Sequence, residues 1–158
     1  GYNPNGKIRV RFSLMPDKYS RLLEPNTTPI EFRIKAIDRF INAGYDVHIN
    51  FSPVIVEEGW LVEYAELFRQ VQGSVEHKDK VKAELIFLTH NKERHKYNVT
   101  HKAPGEYLLW KPDVQEDKTS EYGGENLRYK LGLKTKYINA WTKVHDEIIP
   151  WNTIRYIF

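Results

Sequence analysis

The sequence predicts an α/β fold in which strands and helices alternate as in part of a (β/α) barrel. Three observations lead there. Residues 7–88 read strand, helix, strand, helix, strand. Connections of that length imply parallel pairing through right-handed crossovers. Two of the strands also alternate apolar with polar side chains, whereas the central strands of an open doubly wound sheet, covered on both faces, are apolar throughout. A barrel wall, whose inner face can line a ligand-holding interior, accommodates a polar strand face better.

Residues 7–14 place Ile8, Val10, Phe12 and Leu14 on one face and Lys7, Arg9, Arg11 and Ser13 on the other, the period of a strand. Met15, Pro16 and Asp17 end it, and a polar connection follows. Thr28, Pro29 and Glu31 spell a capping box with proline at the first helical position. Ile30, Ile34, Ile37 and Ile41 recur at helical spacing, Phe40 widens the stripe, and Gly44 supplies a left-handed stop. Residues 47–52 alternate again, with His48, Asn50 and Ser52 on the polar face and Pro53 limiting the ladder. Glu57 and Glu58 mark the start of a second helix, along which Leu61, Ala65, Phe68 and Val71 lead to Gly73. After a charged loop over 74–82, residues 83–88 form a largely apolar, buried strand.

Beyond residue 90 the periodicity fades. Residues 90–102 and 116–124 are charged and turn-rich and are expected to be loops. Residues 126–136 suggest a short hairpin centred on Gly132, 137–149 a helix ending before Pro150, and 153–158 a last strand. The expected organisation is a single domain or fragment, with a half barrel of three βα-type units over 1–102 and a mixed carboxy-terminal extension over 103–158.

Composition excludes several classes of function. The 158 residues, 41% hydrophobic and 28% charged, suffice for one domain with a sizeable core. The absence of cysteine excludes disulfides, thiolate metal sites, a cysteine nucleophile and ligation of an iron–sulfur cluster by this segment. No apolar run approaches the roughly 18 residues of a membrane span, and no secretory leader is recognisable, so a soluble, cytoplasmic protein without membrane contact is expected. A net charge of +3 permits contact with nucleic acid without requiring it. The tyrosines and tryptophans that gather toward the carboxy-terminal third suit a core better than a stacking surface.

On a parallel α/β scaffold, ligands bind beyond the carboxyl ends of the strands. Ser13, Ser52 and the Thr89–His90 pair are therefore expected to converge on one rim. Neither serine has a neighbouring base that would make it a nucleophile, and the chain shows no nucleophile elbow, Gly-rich phosphate loop or metal pair. His90 with His95 and His101 fits no zinc pattern, so no metal site and no catalytic residue are expected. Adjacent Glu57 and Glu58 point apart, which suits helix capping rather than paired catalysis. Lys7, Arg9 and Arg11 share a strand face and must meet water, acids or phosphates. With Arg128, Lys130, Lys134 and Lys136 they are candidates for a discontinuous phosphate-binding surface, with Tyr129, Tyr137 and Trp141 as stacking partners.

Several short strings then carry a resemblance. They are residues 6–14 (Gly6 to Leu14), Glu31 to Ile34 with Ala43, Gly44 and Tyr45, Phe51 to Ile55, Glu58 to Trp60, Leu88 to His90, and Arg128 to Gly132. Their order and spacing resemble the spore photoproduct lyase family over roughly 6–158, most densely over 6–70. The resemblance implies the carboxy-terminal portion of a partial TIM-like (β/α) barrel. It also implies a radical S-adenosylmethionine (SAM) enzyme that binds a [4Fe-4S] cluster through a CxxxCxxC loop, cleaves SAM reductively and uses the 5'-deoxyadenosyl radical to reverse a spore-type thymine dimer in DNA.

Carried over residue by residue, the resemblance makes Ser13 and Ser52 the SAM contacts. At Ser52, where many members carry alanine, a backbone contact is implied. Arg128, Tyr129 and Lys130 become the DNA contacts, although Leu131 stands where the family has an aromatic residue. The cluster cysteines, the hydrogen-donating cysteine and the first βα units are missing. The chain is thus expected to be an excised or incompletely represented carboxy-terminal half of a carbon–carbon lyase, inactive without the cluster-binding amino-terminal half. The alternative is a non-catalytic nucleic-acid- or partner-binding module on the same half barrel.

Overall fold

The computed structural model describes residues 2–119 and 123–158. Four strands form a parallel sheet: β1 (Arg9–Leu14), β2 (Asp46–Val54), β3 (Lys82–Phe87) and β7 (Thr153–Ile157), in the order β1-β2-β3-β7. Each added strand lies on the same side of its predecessor. With one crossover hand, that succession puts every connecting helix on one face.

That face is where the core forms. In register, Phe12 pairs with Ile49 and Leu14 with Phe51, so Phe12 and Phe51 share a face. Phe40 of α2 (Ile30–Asn42) meets Phe12 edge-on at 5.4 Å. Phe68 of α3 (Trp60–Ser74) and Trp141 of α6 (Leu131–Ile148) meet Phe51 at 5.5 and 5.2 Å. The predicted stripe Ile30, Ile34, Ile37, Ile41 is buried. In α3 the buried stripe is Trp60, Tyr64, Leu67, Phe68 and Val71, so the aromatic residues rather than Leu61 and Ala65 face inward. Phe68 and Trp141 lie perpendicular at 5.0 Å, an edge-to-face pair contributing about 0.5–1.5 kcal/mol beyond the area it buries.

Gly44 follows α2 with φ +90°, and a Cβ there would lie 1.9 Å from Asn3 Oδ1, so both backbone conformation and space require glycine. The expected capping box is absent. Pro29 itself takes the cap position, no side chain caps the helix, and Glu31 pairs with Lys35 at 2.5 Å. The Thr28 carbonyl instead accepts from Arg33 Nε at 2.7 Å. Glu57 and Glu58 precede α3, whose cap is the left-handed Gly59, and the Glu57 carbonyl accepts from Trp60 N.

Four further expectations are corrected. The connection after β1 contains a helix, α1 (Asp17–Leu23). Residues 90–102 are not a loop but most of β4 (Thr89–Asn91) and all of α4 (Lys92–Thr100). The stretch expected to be a loop over 116–124 begins as strand, β5 (Gln115–Thr119), with residues 120–122 outside the described part. The hairpin centred on Gly132 is absent: β6 (Glu125–Tyr129) ends and α6 starts at Leu131, with Gly132 inside its first turn. β4, β6 and β5 form a separate antiparallel sheet in that order, with α5 (Glu106–Leu109) preceding β5.

This small sheet docks beyond the carboxyl ends of β2 and β3. The Tyr129 hydroxyl accepts from Val56 N at 2.9 Å, and its ring meets Phe87 edge-on at 6.2 Å. The predicted last strand, β7, returns to the parallel sheet beside β3.

Candidate functional site

The face of the parallel sheet opposite the helices is polar. Register pairs Arg11 with His48, Ser13 with Asn50, His48 with Lys82 and Asn50 with Glu84. A row of charge crosses all four strands. Arg9 Nε donates to Asp46 Oδ2 at 2.6 Å, and His48 Nε2 lies 3.3 Å from Asp46 Oδ1. His48 Nδ1 meets Glu84 Oε1 at 2.8 Å, and Arg155 Nη1 lies 3.6 Å from the same oxygen. His48 and Glu84 are buried. Burial pushes the Asp46 carboxyl up, but the Arg9 hydrogen bond and the charges of His48, Arg9 and Lys82 outweigh it and hold the group below the ordinary aspartate range.

Some polar atoms on this face lack hydrogen bonds. Asn50 Oδ1, Glu84 Oε2 and Arg155 Nη1 are buried without a hydrogen bond among the described residues. Buried polar groups are ordinarily paired, so these three atoms set this face apart from the apolar one.

Ser13 and Ser52 reach this same face near the carboxyl ends of adjacent strands. Ser13 is exposed and its carbonyl accepts from Arg33 Nη1 at 3.0 Å. Ser52 is half-buried and precedes a cis proline, Pro53. Lys111 closes the end of β2, its Nζ donating to the Val56 carbonyl at 2.6 Å. Burial lowers its pKa against the opposing pull of Glu57. Nothing in its sequence neighbourhood marks Lys111 as a rim residue, because the chain brings it 55 residues along to meet Val56.

The expected DNA contacts separate. Tyr129 is fully buried, so its ring is packed in the core and cannot stack on a base, and Trp141 is buried likewise. Tyr137 is half-buried against Trp60 and Tyr129. Arg128 is half-buried and its Nε donates to Glu116 Oε1 at 3.1 Å; exposed Lys130 donates to the Asp113 carbonyl at 2.8 Å. Lys134 is depressed below the ordinary lysine range by burial and then by Lys118 and Arg128. Lys134 at the start of α6 and Arg128 on the small sheet lie close enough to act on each other electrostatically and form a basic cluster, while Lys130 is held at Asp113. Sequence spacing misses Lys118, which reaches the cluster only through β5–β6 pairing. It also misses a group of His90, His95 and Glu106 gathered by β4, α4 and α5.

Among the described residues no helix is long and apolar enough to cross a membrane. A family model described as spore photoproduct lyase matches residues 2–158. The spore photoproduct lyase of Bacillus subtilis (strain 168) is 29% identical over 141 residues, 89% of this chain and 39% of the relative. That of Geobacillus sp. (strain Y412MC61) is 30% identical over 136 residues, 85% of this chain and 37% of the relative. The chain thus spans about two fifths of the length of these curated relatives. Among solved structures, a spore photoproduct lyase complexed with dinucleoside spore photoproduct superposes with a TM-score of 0.85 at 24% identity, over 98% of this chain and 46% of the other. A mutant with bound AdoMet and the same dinucleoside superposes at 0.82, over 97% of this chain and 44% of the other. The superpositions bear out the α/β fold with its parallel sheet, and the family match over nearly the whole length makes this chain a member of the spore photoproduct lyase family.

Proposed function

We propose that this chain forms the carboxy-terminal arc of a radical SAM lyase that reverses the spore-type thymine dimer in DNA, working in the cytoplasm with an amino-terminal part that holds a [4Fe-4S] cluster. The observation that carries the reading is the one-sided parallel sheet. Its helices lie on one face and a polar row lines the other, which suits the inner wall of a partial TIM-like barrel that holds a ligand. Because β7 returns beside β3, residues 1–102 and 103–158 act as one folding unit rather than as independent modules.

The residues present suit SAM. Its ammonium, carboxylate and ribose hydroxyls need donors and acceptors, which exposed Ser13 and the backbone at half-buried Ser52 offer on one face, with Asn50 and Glu84 in the polar wall beside them. When bound, SAM would supply the carbon radical that starts carbon–carbon cleavage, its carbon–sulfur bond breaking to release methionine on taking one electron from the cluster of the amino-terminal part. The chain's own residues orient it, and the Arg9–Asp46–His48–Glu84–Arg155 row fixes the wall behind it. The sequence contains no cysteine, so this segment ligates no cluster. Arg128 and Lys130, with Lys118 and Lys134 beside them, hold the phosphates of the lesion-bearing strand, while buried Tyr129 anchors their sheet.

The test uses the complete enzyme. Ser13→Ala is expected to weaken SAM affinity. Arg128→Ala with Lys130→Ala is expected to lower DNA affinity and to flatten the slope of log K against log salt by about one for each phosphate no longer neutralised. Unchanged SAM affinity would remove Ser13 from the site. Salt-dependent DNA binding with no SAM binding at all would favour a non-catalytic binding module.

A further inference from the structure

Three consecutive elements bring two imidazoles and a carboxylate to one point. His90 lies on β4, His95 on α4 and Glu106 at the start of α5. His90 Nε2 is 2.8 Å and His95 Nδ1 2.5 Å from the same oxygen, Glu106 Oε1. Asn98 Nδ2 donates to the other oxygen, Oε2, at 2.6 Å. The Trp110 ring stacks flat on His95 at 3.8 Å and 5°, fixing the plane of the imidazole. Side-chain exposures of 7%, 22% and 12% for His90, His95 and Glu106 leave the group sheltered but reachable by solvent.

A second observation concerns what holds this region together. Helix α4 buries none of its residues. The apolar burial that docks α2, α3 and α6 is therefore missing from α4, and the polar group at His95, with the ring of Trp110 stacked on it, joins α4 to β4 and α5. Elements without a core of their own are where small folds use a bound ion.

We propose that His90 Nε2, His95 Nδ1 and a Glu106 carboxylate oxygen bind a zinc-class divalent ion. Two imidazoles and one carboxylate form a recurrent zinc donor set, with the fourth tetrahedral position left to solvent. Donor atoms around a tetrahedral zinc lie roughly 3.3 Å apart, from ligand distances near 2.0–2.1 Å. The three atoms here all fall within 4.8 Å of one another. Binding replaces the protons between the rings and Glu106 Oε1, and their separations open by about 0.5–0.8 Å to suit the ligand distances above. Asn98 then serves as the outer partner that orients the carboxylate. The ion would tie α4 to β4, and so to β6, where Thr89 pairs with Arg128. The donor set lies outside the SAM wall, so it stands apart from the lyase reading.

The test is a titration of the untagged 158-residue chain with Zn²⁺ alone and with Co²⁺ as a spectroscopic probe. Cysteine-free protein gives no thiolate background. The expected result is one equivalent of tightly bound ion, tetrahedral Co²⁺ bands in the visible, and a Zn²⁺-dependent rise in Tm. Glu106→Gln and His95→Asn should abolish all three, and Asn98→Ala should weaken binding by about 10–100-fold, the usual contribution of an outer partner. Exposed His101→Asn should change nothing. The absence of stoichiometric binding, or equal binding by Glu106→Gln and His95→Asn, overturns the proposal. If both variants fail to fold, X-ray absorption on the unmodified chain decides: a coordination shell without two imidazole nitrogens overturns it.

Discussion

The two sheets of this protein are stabilised by different means. The four-stranded parallel sheet rests on a continuous apolar cluster from Leu14 and Ile37 through Phe51 and Phe68 to Trp141. The three-stranded sheet joins that cluster through Tyr129 of β6, but with α4 its outer part rests on directed polar contacts: the Asn91 side chain accepting from Glu93 N and Arg94 N at 2.9 and 3.0 Å, Lys92 with Asp117 at 2.8 Å, and Arg128 with Glu116 at 3.1 Å. Apolar burial is distributed and cooperative, whereas polar contacts depend on individual geometry. Damage to the first sheet should therefore unfold the molecule, and damage to the second should stay local.

The largest effect is expected from Ile37→Asp, which puts an unpaired charge at a fully buried site on α2 and should abolish cooperative thermal unfolding. Trp141→Ala removes the ring at the centre of the aromatic cluster and should cost about 3–5 kcal/mol by denaturant titration. An intermediate effect belongs to Asn91→Ala, expected to cost about 1 kcal/mol through removal of a helix cap. Its amide-exchange signature should be faster exchange in α4 with β1–β3 still protected. Global acceleration would break the distinction between the sheets.

The smallest effect concerns Asp46. Its carboxyl is held below the ordinary range in the folded protein, so its contribution is present above about pH 4, the unfolded value, and is lost as pH falls through the lower folded value. Asp46→Asn should remove that part of the acid destabilisation, measured as Tm against pH. The partly exposed pair with Arg9 limits the effect to about 0.2–1 kcal/mol.

The same contrast explains what is legible in the sequence. Where burial drives an element, side-chain period betrays it: β1, β2, β3, α2 and α3 can each be read. Helix α4 carries Lys92, Glu93, Arg94, His95 and Lys96 in succession and buries nothing, so it has no period to read. Its one local signal is Asn91 as a cap with Glu93 in the first turn. Ser13 and Ser52 can be placed on one rim because strand alternation and parallel pairing fix the face. Tyr129 cannot be judged from its surroundings in the chain, since its neighbours Val56 and Phe87 lie far off. Glu106 meets His90 and His95 only because β4 turns directly into α4.

The charged row across the parallel sheet also acts as a ruler. Parallel strands have no hairpin turn to set their alignment, and alternation alone penalises only odd slips, because a shift by two residues returns every apolar side chain to the core face. Arg9 against Asp46, His48 against Glu84 and Glu84 against Arg155 each join neighbouring strands. A two-residue slide would keep the apolar face intact and still part all three pairs, leaving charges stranded. The row thus supplies what hydrophobic patterning leaves out: which of several equally greasy alignments is the native one.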